Sequence, residues 1–203
     1  MSLVVWAAWH INYFLFHGWV YSIINEKNDM DLKAIKADKA TDKLFQVIYF
    51  SIIVVYGWLV LSQTEYLPFS LGGAWDNDMK NMWSELPVIT SDYLPSLRFY
   101  YLSTLGYHIN SLRALAWAWF TNKSKGDWVE MLLHHLLTVS LYSFSYLTNS
   151  CKIGSLVMYL HDWADIWTPF AKLWVETDYK NLCIFGGVMI WFTWTYTRLI
   201  IFP

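Results

Sequence analysis

Two short polar motifs interrupt long apolar stretches in the second half of the chain. The first is His134-His135 followed by Thr138, and the second is His161-Asp162-Trp163-Ala164-Asp165. An ionisable side chain near the centre of a bilayer costs roughly 2.5–3.5 kcal/mol on insertion scales, so such residues usually line a functional site. The sequence therefore predicts one site that draws residues from both motifs.

A histidine beside an aspartate can move protons or act as a nucleophile. The carboxylate fixes the tautomer of the imidazole and raises the basicity of its other nitrogen. That nitrogen can take a proton from an attacking group, or it can attack an activated acyl group itself. Acyl transfer suits an apolar site, because the site holds a fatty chain and protects a reactive intermediate from hydrolysis. We expect His134 and Asp165 to form this pair.

Helical spacing puts the polar residues of each motif on one face of its segment. His134 and Thr138 are four residues apart, and the following segment has a polar stripe at His161, Asp165, Thr168 and Lys172. A short joint at residues 149–151 makes the two segments antiparallel neighbours, with both motifs toward the same membrane side. His108, in the middle of an earlier apolar stretch, could line the same cavity. The candidate cavity residues are therefore Thr138, His108, Thr168 and Lys172.

Two other interpretations use the same residues. The polar groups could form a purely structural network between helices, or His134, His135, His161 and an aspartate could hold one zinc ion. The chain has six histidines, fewer than the clustered histidine boxes of membrane di-iron desaturases and hydroxylases need. We expect no metal and no cofactor.

The composition indicates the elements that must position these residues. Hydrophobic residues make up 56% of the 203 residues and charged residues 15%, whereas soluble domains carry about 25% charged residues. The apolar blocks are about twenty residues long, the length that crosses a bilayer as a helix. The sequence predicts an all-α, polytopic membrane helix bundle of about six transmembrane helices around a central cavity. The predicted spans are 3–24, 44–62, 97–120, 128–148, 152–175 and 181–202.

The joints between the spans set the orientation. Residues 25–43 are predicted as a charged loop, and residues 63–93 as a long acidic loop. Most lysines between the spans fall on one side, which should be cytoplasmic by the positive-inside rule. The N-terminus should then be lumenal. The net charge of −2 gives no indication of a nucleic-acid partner.

The two motifs, at this separation, resemble the signature of the longevity-assurance ceramide synthases, which belong to the wider TLC-domain family. Residues 149–154 and 197–203 are also similar to family segments. The resemblance covers about residues 35–203 and implies two regions. These are an N-terminal span with a cytoplasmic loop at 1–34 and a TLC-type transmembrane domain at 35–203.

The resemblance implies a multi-pass enzyme of the endoplasmic reticulum membrane. Such an enzyme transfers a fatty acyl group from acyl-CoA to the amine of a sphingoid base, in a cavity that opens to the cytoplasm. Acyl-CoA is a co-substrate, and no metal is required. The implied partners are acyl-CoA, the sphingoid base and membrane lipid, with a homo- or hetero-dimer left open. His134 matches the histidine that takes the acyl group and His135 its motif partner, while Asp165 matches the assisting aspartate and His161 with Asp162 the supporting pair.

The chain departs from the family pattern at two points. Pro169 stands where the family motif usually has a glutamate, and a proline inside a helix tends to kink it. The chain also ends at Pro203, where the family adds a last span, so we expect a C-terminally incomplete domain. The alternative function is a non-catalytic TLC-domain protein that senses or regulates lipid. The complete set of histidines and aspartates favours the enzyme.

Overall fold

The computed structural model describes residues 2–26, 29–83, 95–121 and 128–201. These residues form an all-α membrane helix bundle, as predicted, and no strand is present among them. The long helices are α1 (Ser2–Ile23), α2 (Met30–Leu61), α3 (Pro95–Phe120), α4 (Trp128–Leu147), α5 (Cys151–Trp174) and α6 (Lys180–Thr195). A π-helical turn, Tyr196–Ile201, continues α6.

The helix bounds agree closely with the predicted spans. The ends of α1, α3, α4 and α5 lie within two residues of the prediction, and α6 with its π-helical turn covers the predicted last span up to Ile201, where the described residues end. In the described part of the chain, two helices are apolar enough to cross a membrane by length and composition alone, Met30–Leu61 and Lys180–Ile201. The polar residues on the other helices lower their mean hydropathy. Several of these residues make polar contacts with neighbouring helices.

The charged stretch before the second span differs from the prediction. A loop was expected at 25–43, but α2 already begins at Met30. Ala37 and Ala40 lie in a small buried core that α1 and α5 share, and alanine is the strongest helix former. The prediction was wrong because charged residues indicated a loop, whereas this helix buries Ala37 and Ala40 and pairs Asp38 and Asp42 with side chains of α1. The division of the chain at residue 34 stays a prediction.

Polar contacts join α1 to the charged first half of α2. The Trp9 indole N–H donates to Asp42 Oδ1 at 2.8 Å, and the Tyr13 hydroxyl donates to Asp38 Oδ1, also at 2.8 Å. His17 Nε2 lies 3.0 Å from the same Asp38 oxygen. The three α1 residues are four apart, so they share one helix face. The polar groups of this otherwise apolar helix therefore pair with the carboxylates of α2.

The predicted acidic loop is partly ordered by short helical turns. Phe69–Leu71 and Met79–Trp83 are 3₁₀ helices. Between them, the Asn77 amide donates to the carbonyl of Thr64 at 2.8 Å and to the carbonyl of Leu67 at 2.9 Å. These two hydrogen bonds hold Asn77 against the chain that follows α2. The rest of the predicted loop falls in residues 84–94, outside the described residues.

The chain divides into two compact units. The first comprises Met1–Trp6 and Tyr56–Met158, and the second comprises Ala7–Val55 and Tyr159–Pro203. The helices α3 and α4 therefore belong to the first unit, whereas α6 and residues 159–174 of α5 belong to the second. Helix α5 continues past Pro169 to Trp174.

Candidate active site

Two histidines meet inside the first unit. His108 of α3 and His135 of α4 are 2% and 8% exposed, and their Nδ1 atoms are 3.1 Å apart, at hydrogen-bonding distance. The Tyr142 ring packs against His108 with the ring centroids 5.6 Å apart. A buried imidazole pair that shares a hydrogen bond has restricted ring orientations, because each ring is held by the other and by packing.

His134 has a different environment from its neighbour. Its side chain is exposed, and its ring centroid lies 5.1 Å from that of His135 and 6.4 Å from that of His108. The Thr138 hydroxyl donates to the His134 carbonyl at 2.8 Å. Thr138 therefore uses its hydroxyl on the helix backbone, as threonines in apolar helices often do.

The register of α3 against α4 brings the histidines together. The Tyr101 hydroxyl donates to the Tyr142 carbonyl at 3.0 Å, seven residues along each helix from the His108–His135 contact. Because seven residues are about two helical turns, the two contacts lie on one seam between antiparallel helices. Tyr101 is 1% exposed. Moving one helix by a turn against the other would break both contacts.

The second motif lies on α5 in the second unit. Asp162 is fully buried at 0% exposure, whereas His161 and Asp165 are partly buried. Thr168 and Lys172, which the sequence assigns to the cavity, are exposed. The stripe therefore runs from the partly buried His161 to the exposed Lys172 along one helix.

Arg198 is a functional candidate that the sequence motifs do not include. It lies on the π-helical turn Tyr196–Ile201 and is partly buried. Its positive charge attracts the Asp165 carboxylate. π-Helical turns are frequent at functional sites, and an arginine close to the chain end is easily interpreted as an interface anchor. The interaction of Arg198 with Asp165 joins two helices, so only the fold reveals it.

The predicted site residues thus fall into two groups. The structure brings His108, His134 and His135 together, and it puts the second motif on a helix of the other unit. The predicted contact between His134 and Asp165 joins the two units and stays a prediction. Among the described residues, no group of three or more His, Cys, Asp or Glu side chains could hold a metal ion.

The sequence model of the TLC-domain family matches residues 39–203. This chain belongs to the TLC-domain family. The matched segment contains both motifs, α2 from Lys39 onward and all the later helices.

Several curated relatives are similar over much of the chain. Ceramide synthase 3 of Mus musculus is 31% identical over 150 residues, which are 69% of this chain and 37% of that protein. Ceramide synthase 4 of Homo sapiens is 38% identical over 121 residues, 60% of this chain and 29% of that protein. Ceramide synthase LOH2 of Arabidopsis thaliana is 27% identical over 176 residues, 87% of this chain and 54% of that protein.

The matched segment is only a part of each relative. The chain spans between 29% and 54% of the length of these three proteins. The resemblance to the ceramide synthase family, which rested on the two motifs, is confirmed by these relatives and by the family match.

Proposed function

We propose that this protein is a sphingoid-base N-acyltransferase, a ceramide synthase. It transfers a fatty acyl group from acyl-CoA to the amine of a long-chain base and releases CoA. One observation carries the proposal: a TLC-domain chain, similar to proteins named ceramide synthase, has the complete His-His and His-Asp-x-x-Asp set on α4 and α5. A lipid-regulating protein would not need every member of this set.

The proposed chemistry assigns a role to each motif residue. Asp165 orients His134, and a ring nitrogen of His134 attacks the thioester carbonyl. The C–S bond breaks, and CoA leaves as a thiolate that takes up a proton. The sphingoid amine then attacks the acyl-imidazole, the new C–N bond forms, and the amine gives up a proton as the imidazole leaves. His161 and Asp162 support this pair, and His135 acts as its motif partner.

A second version of the mechanism uses the same residues. In it, His134 takes a proton from the sphingoid amine while the amine attacks acyl-CoA directly. Acyl-CoA alone should label the protein covalently in the first version and not in the second. In the first version, His134→Ala abolishes the label.

The setting of the reaction follows from the apolar helices. We propose a multi-pass protein of the endoplasmic reticulum membrane, whose partners are acyl-CoA, a sphingoid base and membrane lipid. Long apolar helices such as Met30–Leu61 support the membrane location. The proposal uses no cofactor, with acyl-CoA as co-substrate, and leaves a homo- or hetero-dimer open.

Expression in cells that lack their own ceramide synthases tests the activity. Lipid mass spectrometry should detect N-acylated sphingoid bases with the wild-type protein and not with His134→Ala, at equal protein levels in the membrane fraction. A well-expressed wild-type protein that yields no N-acylated base would refute the proposal.

The second candidate is a non-catalytic TLC-domain protein that senses or regulates lipid. Pro169 favours it, because the family's enzymes usually have a glutamate at this position of the motif. Pro169→Glu separates the two candidates. If the wild-type protein is inactive and Pro169→Glu gains activity, the glutamate is needed and the natural protein serves another role.

A further inference from the structure

His108 is a buried histidine that neither family motif contains. It lies on the buried face of α3, 2% exposed, with Tyr100, Tyr101, Thr104 and Tyr107 on the same face. Its Nδ1 is 3.1 Å from Nδ1 of His135. Ring contacts with Tyr107, at 5.5 Å between centroids, and with Tyr142, at 5.6 Å, hold its imidazole edge-on. His108 thus connects the first motif to the helix packed against it.

The contact between two Nδ1 atoms constrains both tautomers. A neutral imidazole carries one N–H, so one nitrogen donates and the other accepts. In a hydrogen bond between two Nδ1 atoms, one ring donates its Nδ1–H and keeps a lone pair on Nε2. The other ring accepts at Nδ1 and carries its proton on Nε2. Only one ring of a neutral pair therefore presents a basic Nε2.

We propose that His108 is a positioning residue that accepts the Nδ1–H of His135. His135 then presents a lone pair on Nε2, beside the His134 ring. This inference rests on the proposed function, in which His135 is the motif partner of the reacting His134 ring, whose centroid lies 5.1 Å from its own. The buried side of the motif thereby has an orienting partner of its own, in addition to the aspartate of α5.

The burial of the pair holds the His135 ring in one orientation. His135 is fixed from one side by His108 and from the other by its helix, so the ring cannot rotate without breaking a buried hydrogen bond. A hydrogen bond to one ring nitrogen decides which nitrogen is free to react, and this is how orienting residues act in other histidine sites. His108 provides this hydrogen bond from α3, a helix that carries neither motif.

Two substitutions separate positioning from packing. His108→Asn puts an amide oxygen near the Nδ1 position, where it can accept the His135 N–H. His108→Leu fills a similar volume with no acceptor. If His108 orients His135, the leucine variant should lose about tenfold in kcat, the size of one buried hydrogen bond, with little change in KM for acyl-CoA. The asparagine variant should keep most of the wild-type kcat.

The tautomer itself gives a readout that needs no activity. Protein with ¹⁵N-labelled histidine, in lipid nanodiscs, should show His135 with a protonated Nδ1 and an unprotonated Nε2. His135→Asn assigns the signals. In His108→Leu the His135 signals should move toward a mixture of tautomers. A wild-type His135 with its proton on Nε2, or a leucine variant as active as the asparagine variant, would overturn the inference.

If the protein is not an N-acyltransferase, the results differ from those that would overturn the role of His108. In that case the wild-type protein forms no N-acyl product, whereas the ¹⁵N spectrum still reports the state of the pair. A spectrum with the expected tautomer and no product would contradict the enzyme and leave His108 in its orienting role.

Discussion

Two adjacent glycines on α6 offer a matched test of how α5 is held. A Cβ atom added at Gly186 would lie 2.9 Å from Cβ and 3.0 Å from Cα of Ala171 on α5, whereas one added at Gly187 meets nothing within 4 Å. Carbon atoms pack best at about 3.5–4.0 Å. The Ala171 atoms are backbone or attached directly to it, so no side-chain rotation can make room. Gly186→Ala must therefore move one helix against the other.

Comparing Gly186→Ala with Gly187→Ala gives the size of the expected stability loss. Replacing glycine by alanine in a helix gains about 1 kcal/mol of helix propensity at either position, so this gain cancels in the difference. Overpacking a close contact costs typically ~1–3 kcal/mol. Close approach through small residues is a common way for membrane helices to pack. We therefore expect Gly186→Ala to be less stable than Gly187→Ala by about 1–3 kcal/mol, the cost of overpacking.

Thermal unfolding of the purified variants in one detergent measures the difference. About 2–4 °C per kcal/mol is expected for a chain of this length, so Gly186→Ala should melt at least 2 °C below Gly187→Ala. Equal midpoints, or the reverse order, would show that α5 and α6 do not make the close contact at Gly186. Because Asp165 lies on α5, the destabilised variant should also have lower N-acyltransferase activity.

Two further substitutions test hydrogen bonds that order the helices. Asp38→Ala removes the acceptor of the Tyr13 hydroxyl and the carboxylate that lies 3.0 Å from His17 Nε2. Because the Asp38 side chain is 57% exposed, we expect a loss of stability of about 1 kcal/mol or less. A loss above about 3 kcal/mol in chemical denaturation would mean that α1 depends on this residue more than its exposure indicates. Tyr101→Phe removes the buried hydrogen bond to the Tyr142 carbonyl and should cost ~1 kcal/mol. An unchanged unfolding midpoint would argue against the register of α3 and α4.

Much of the fold follows from hydrophobic patterning. The apolar blocks predict the ends of α3, α4 and α5 within two residues, because these helices begin and end where polar or turn residues interrupt the pattern. The start of α2 could not be found in this way. Its charged first half is helical because Ala37 and Ala40 pack against other helices, and that packing is not visible in a local pattern.

The candidate site was predictable only in part. The motif histidines stand out, since adjacent imidazoles in an apolar stretch are unusual. The sequence assigns His108 to the same cavity as the motif, but the contact of His108 with His135 depends on the register of two helices, which residue spacing within α3 does not reveal. The attraction between Arg198 and Asp165 likewise joins positions far apart in the sequence.

The most direct test of the proposed activity uses the purified full-length protein with acyl-CoA and an isotopically labelled sphingoid base. Mass spectrometry of the lipid product and a thiol assay for CoA should show equal amounts of N-acylated base and released CoA. His134→Ala should form neither product above background. A folded wild-type protein that releases no CoA and forms no N-acylated base, or a His134→Ala variant that does both at the wild-type rate, would contradict the account.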